Sequence, residues 1–223
     1  MKRLYLVILF LPPLIFGQQK MFDPPLSERI ANYTIYCRLD PEKKIVTGTE
    51  TLVWKNSSDH PDDGNPFDKT VCSVKLPMTV APDEELSLSI TFETKLPPVI
   101  SRSGYEKNFF SVTQWFPKIG VFEDGQWICH QYHNNGEFYA DFGVYDVSIT
   151  IPEEYVVGAT GVRIEEKRLA NGWKRLRHYC EDVHDFAWCA DPDFVEIKDR
   201  FEHTEIRFLC QPDHVEMADR FIR

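Results

Sequence analysis

An all-β domain is what this sequence predicts: an antiparallel sandwich or saddle-like sheet that ends in the start of a helix. Three observations carry that expectation. Clean period-2 alternation runs through 145–151, where Tyr145, Val147, Ile149 and Ile151 share one face and Asp146, Ser148 and Thr150 the other, and again through 86–93. Turn chemistry punctuates the chain at short intervals, most clearly in the polar run Asp40 to Lys44 and in Asn171-Gly172 between two strand-like segments. The chain holds 16 Phe, 9 Tyr and 5 Trp beside many β-branched residues, and helical periodicity is nearly absent.

The elements follow in order. Residues 32–39 and 45–54 read as a hairpin, 56–68 as a loop rich in Asp, Pro, Gly and Ser, and 71–76 and 86–93 as further strands. The strand at 145–151 should leave one face wet and close at Pro152. Residues 155–159, the pair 162–169 and 173–179, and 204–210 complete the set. Beyond Pro212 the spacing of Val215, Ala218, Phe221 and Ile222 is helical, and Asp213 stands near the start, where a carboxylate suits the helix dipole. A helix this short is marginal without a neighbour, so the chain is expected to continue past Arg223.

The 223 residues can hold a core. Lys2 and Arg3, an apolar run over 4–16 broken by Pro12 and Pro13, and Gly17 have the layout of a secretory signal peptide. That run of about 13 residues is short of the ~20 that span a bilayer. The expected organisation is a signal peptide at 1–17, a linker at 18–29, the β domain at 30–211 and the start of a helix at 212–223. The expected location is the periplasm or the extracellular space, with no stable membrane span. Net charge is −10, and −12 once Lys2 and Arg3 are removed, which argues against a nucleic-acid partner. Export permits disulfides among the six cysteines, with Cys180 and Cys189 the best candidate pair and buried free thiols the alternative.

Chemistry-bearing motifs are sparse. None of the seven histidines begins a His-Glu-x-x-His. His130 and His133, with Cys129 and Glu137 near them, would chelate only in a turn and read better as polar loop residues. Asp182, His184 and Asp185 beside Trp188 could place a base between carboxylates, although a hydrogen-bonded loop is the commoner use. No Gly-x-Ser-x-Gly elbow is present. Three stretches are more specific: QWFPKIGVF at 114–122, GEFYADFG at 136–143 and VHDFAW at 183–188. Aromatics beside Pro and Gly imply fixed loops that a rigid sheet presents to a neighbour.

In these stretches the chain resembles the N-terminal domain of exported bacterial zinc metallopeptidases of the aminopeptidase N type, the M1 family. The likeness also takes in Tyr33 to Leu39 with Gly48, Leu52-Val53-Trp54-Lys55-Asn56, 145–152, Val156 to Gly161 and Asp191-Pro192-Asp193-Phe194. It implies a saddle-like β domain packed on its own C-terminal catalytic domain, where Zn2+ is held by His-Glu-x-x-His and a downstream Glu. Those parts would lie past Arg223, so the resemblance places no catalytic residue and no metal ligand on this chain. It implies a peptide substrate for the full-length protein, and a non-catalytic role for this domain. One polar side chain before a Phe-Pro pair meets the substrate's free amine in the family, and Phe116-Pro117 makes Gln114 the candidate. A hydrogen bond at a strand end is the alternative role for Gln114. The run between Asn56 and Val71 is shorter than the family's, which implies missing strands. A stand-alone exported binding module and a pseudo-enzyme lacking zinc ligands are the competing functional readings.

Overall fold

A computed structural model of the chain describes residues 21–55, 70–76, 79–98, 102–130 and 136–222. The expected signal peptide and the loop at 56–68, with its implied missing strands, lie outside them. Among the described residues the strands are β1 (Ala31–Asp40), β2 (Ile45–Lys55), β3 (Glu85–Lys95), β4 (Gly104–Glu106), β5 (Phe109–Val112), β6 (Val121–Glu123) and β7 (Gln126–Ile128). They continue as β8 (Gly143–Pro152), β9 (Val156–Ala159), β10 (Val162–Arg168), β11 (Trp173–Val183), β12 (Trp188–Asp191), β13 (Val195–Phe201) and β14 (Thr204–Cys210). The protein is an all-β domain, as the alternation and turns require.

Six strands form one sheet in the order β10-β11-β8-β1-β2-β3, and four form a second, β4-β5-β12-β9. The pairs β6-β7 and β13-β14 are separate hairpins. The β1–β2 turn sits where its polar run placed it: the Asp40 carboxylate accepts from the N–H groups of Glu42 and Lys43, and Lys44 takes φ +61°. In the β10–β11 connection Asn171 and Gly172 both take positive φ, the conformation that Asn-Gly tolerates.

Two expectations about the sheet need correction. β1 and β8 pair in parallel, Tyr33 opposite Tyr145, because the long segment that forms β2 to β7 intervenes before the chain returns beside β1. The polar face of β8 is not wet, since Asp146 and Ser148 are 8% and 4% exposed. β8 is central, between β11 and β1, and Arg177 of β11 lies over Asp146 and binds both its oxygens.

Residues 71–76, expected as a strand, form none: among the described residues no neighbour supplies a ladder, and Val74 stays 69% exposed. The C-terminal helix begins as a 3₁₀ turn, Pro212–Met217, and becomes α-helical only over α1, Ala218–Ile222. Gln211 provides no side-chain cap there. Among the described residues no helix is long and apolar enough to cross a membrane.

One core joins the two sheets. Tyr33, Ile35, Leu39, Tyr145, Val147, Ile149 and Leu176 of the larger sheet meet Phe110, Val112, Val157, Trp188 and Ala190 of the smaller. Each of the Val, Ile, Leu and Phe side chains among them contributes about 1.5–3 kcal/mol through burial. Gly143 marks a close approach: a Cβ there would lie 1.5 Å from the Ala31 carbonyl oxygen.

Candidate functional site

The three aromatic stretches converge at one side of this core. β5 ends at Val112, and Gln114 adopts φ +51°, which turns the chain sharply back over the larger sheet. Trp115, 1% exposed, anchors the turn. Its indole Nε1 donates to the Phe186 carbonyl at 2.8 Å, and its own carbonyl accepts from Thr94 Oγ1 at 2.6 Å. Its ring meets Phe92, Phe116 and Trp188 edge-on. Phe116 then packs edge-on against both Tyr33 and Tyr145. Farther along, Ile119 N–H donates to the Tyr33 hydroxyl at 3.1 Å.

With those aromatics turned inward, Gln114 is left exposed at the rim. Its Nε2 donates to Asp185 Oδ2 at 2.8 Å, and Lys118 Nζ lies 3.3 Å from the same oxygen. The other oxygen, Asp185 Oδ1, accepts from Phe186 N–H at 2.8 Å. A carboxylate can accept only from the amide nitrogen, so Asp185 leaves the Gln114 amide oxygen for an incoming donor.

The 136–143 stretch supplies a neighbouring depression of about 310 Å³, lined by Ile30, Val121, Phe122, Tyr139 and three acids, Glu123, Asp124 and Asp141. Tyr139 donates its hydroxyl to Glu123 Oε2 at 3.3 Å. Asp141 Oδ2 is buried with no hydrogen-bond partner among the described residues. Burial first, then the charges of Glu123 and Glu28, push that carboxyl up to about 6. The Gln114 amide oxygen and, separately, the acids of the depression each suit a cationic group, and among the described residues neither place holds an activated nucleophile.

The other candidates separate. Asp182 faces away from Asp185: at φ +58° it accepts from Ser27 N–H, Ser27 Oγ and Arg29 Nε. His184 sets its ring against Phe142 and hydrogen-bonds neither carboxylate. His130 bonds the Glu137 carbonyl through Nε2 at 2.9 Å, while the Glu137 carboxylate takes Arg102; His133 lies outside the described residues. Among the described residues no three His, Cys, Asp or Glu converge on a metal position, so no step through a metal is drawn on this chain. The Cys180–Cys189 pairing is corrected: neither forms a disulfide, and the two stand in different sheets.

Lys118, Tyr33 and Asp141 were missed by sequence reasoning. Lys118 and Asp141 lie inside stretches singled out as fixed loops, whereas Tyr33 reads as an ordinary core position on β1.

No family model and no curated protein matches the chain. Solved structures do. It is similar to an M1 zinc metallopeptidase from Deinococcus radiodurans, with TM-score 0.50 and 14% identity over 82% of this chain and 48% of that one. A mutant of that enzyme bound to a Tyr-Ser-Ala substrate gives TM-score 0.51 at 14% identity and the same coverage. A two-domain M1 zinc metallopeptidase mutant bound to L-tryptophan gives TM-score 0.50 at 12% identity over 81% of this chain and 48% of that one. The class is therefore an all-β domain with a fold found within M1 zinc metallopeptidases. The chain spans about half the length of those structures.

Proposed function

We propose that this chain is the non-catalytic N-terminal domain of an exported zinc-dependent metallo-aminopeptidase, and that it shapes the substrate cleft of a C-terminal catalytic domain. The single observation that carries the reading is the fold likeness to M1 zinc metallopeptidases over 82% of this chain and half of theirs. The rim supports it: Gln114 offers an amide oxygen, and Asp185 orients that amide. In this reading Zn2+ and its ligands belong to the catalytic domain, and Gln114 accepts a hydrogen bond from the substrate's free α-ammonium. The domain boundaries are then a linker up to residue 29, the β domain over 30–211 and a connecting helix from 212.

A hydrogen bond to a charged group is worth about 1.5–3 kcal/mol, so Gln114→Ala in the full-length protein should raise KM for peptides with a free amine ten- to hundredfold. N-acetylated peptides should be unaffected. Equal losses on both substrates would remove Gln114 from the amine site. The coding sequence after residue 223 tests the rest: an in-frame His-Glu-x-x-His supports the proposal. A stop codon would favour a stand-alone binding module, and a longer frame without the motif a pseudo-enzyme.

A further inference from the structure

Glu50 stands at the middle of β2, opposite Ile35 of β1 and Ile90 of β3, on the face that meets the core. Its exposure is 0%, and neither carboxylate oxygen has a hydrogen-bond partner among the described residues. A buried carboxylate without a cation or donors is unstable; the neutral acid is the form that tolerates such a site. The groups that share its face are Tyr33 and Cys37 on β1, Tyr145 on β8, whose hydroxyl also lacks a partner among the described residues, and His178 and Cys180 on β11, where burial pushes the His178 imidazole down to about 4 and leaves it neutral. From β3 the residues Leu88, Ile90 and Phe92 bring no charge. In the roof above, Lys118 is held by Asp185.

The roof is the 114–122 loop. Phe92, whose ring lies over Gly48 two residues from Glu50, meets Trp115 edge-on at 5.9 Å. Thr94 on the same strand bonds the Trp115 carbonyl, and Tyr33 bonds Ile119 N–H. Water that came to solvate an ionised Glu50 would have to part these contacts.

We propose that Glu50 is a proton-controlled latch: its neutral carboxyl keeps the 114–122 loop seated on the sheet, and loss of its proton to solvent admits water and releases the loop, with Gln114, from Asp185. The inference does not depend on the functional reading above. Burial pushes the Glu50 carboxyl up to about 8. Burial pushes Tyr33, Cys37 and Tyr145 much higher still, so they remain neutral while Glu50 ionises.

The test follows two signals in the full chain between pH 5 and 10. The first is the side-chain carboxyl carbon of Glu50 by NMR, and the second is the indole N–H of Trp115, which reports its bond to Phe186. Both should titrate with a midpoint of about 8. In Glu50→Gln the Trp115 signal should hold its position across the whole range. A Glu50 carboxyl that titrates near 4–5 overturns the latch, as does one that titrates near 8 while Trp115 stays fixed. A Trp115 transition that persists in Glu50→Gln overturns it too. The carboxyl titration needs only the wild-type chain, so it decides the matter even if the variant does not fold.

Discussion

Two buried acidic places in this domain have opposite fates. At the bulge in β11, Glu181 and Asp182 have side chains only 1% and 3% exposed, and both are charged. Arg29 reaches both, and Met21, Phe22, Leu26 and Ser27 donate backbone N–H groups to them. Hydrogen bonds, with those from Arg29 foremost for Asp182, hold the two carboxyls below the usual carboxylate range. At the middle of β2, Glu50 is as deeply buried and has no hydrogen-bond partner among the described residues, and its carboxyl is pushed up by burial instead. Burial alone therefore does not set the charge of an acid; the donors delivered with it do.

The largest effect should come from breaking the satisfied site. Arg29→Met strands two buried carboxylates, and such losses cost about 3–5 kcal/mol. The cover here is only the thin strap of residues 21–28, so the lower end, about 3 kcal/mol, is expected from denaturant midpoints at pH 7. No change would show that the strap is decorative.

Next comes relief of the unsatisfied site. Glu50→Leu replaces a lone buried carboxyl with an apolar side chain, and a gain of about 2 kcal/mol at pH 8 is expected. A loss of that size would mean Glu50 has a partner.

The pH dependence separates the two places by sign. Glu50 has a folded value of about 8, above its unfolded value of 4.5, so its stabilisation is complete below pH 4.5 and is lost as pH rises to about 8. Glu181 and Asp182 have folded values below their unfolded ones, so theirs is present above pH 4.5 and is lost as pH falls. Unfolding curves should show the alkaline limb vanish in Glu50→Leu and the acid limb shrink in Arg29→Met.

The smallest effect on stability belongs to the rim. Gln114 is exposed, and Gln114→Ala should move the unfolding free energy by less than about 0.5 kcal/mol. A larger loss would make Gln114 a structural brace of the Trp115 turn.

The same contrast explains what was legible in the sequence. Local chemistry was: the Asp40–Lys44 and Asn171-Gly172 turns, β3, β8 and β14 all follow from alternation and turn residues. What depends on distant partners was not. Nothing near Asp146 announces that Arg177 will cover it, and nothing in the apolar residues of 71–76 shows that no strand among the described residues lies beside it. Short strands such as β6, β7 and β12 are too brief to show a period. In the rim, sequence singled out Gln114 and its stretch, but the turn that exposes it is set by Trp115 reaching Phe186, 71 residues away. Glu50 looked like one more polar residue among the threonines of β2.

The central claim is that this domain shapes a peptidase cleft without performing the chemistry. The most direct test is to purify residues 21–223, measure zinc per mole, and assay hydrolysis of an aminoacyl reporter. The account expects no stoichiometric zinc and no turnover, with activity appearing only when the catalytic domain is present. Robust hydrolysis by residues 21–223 alone would contradict it.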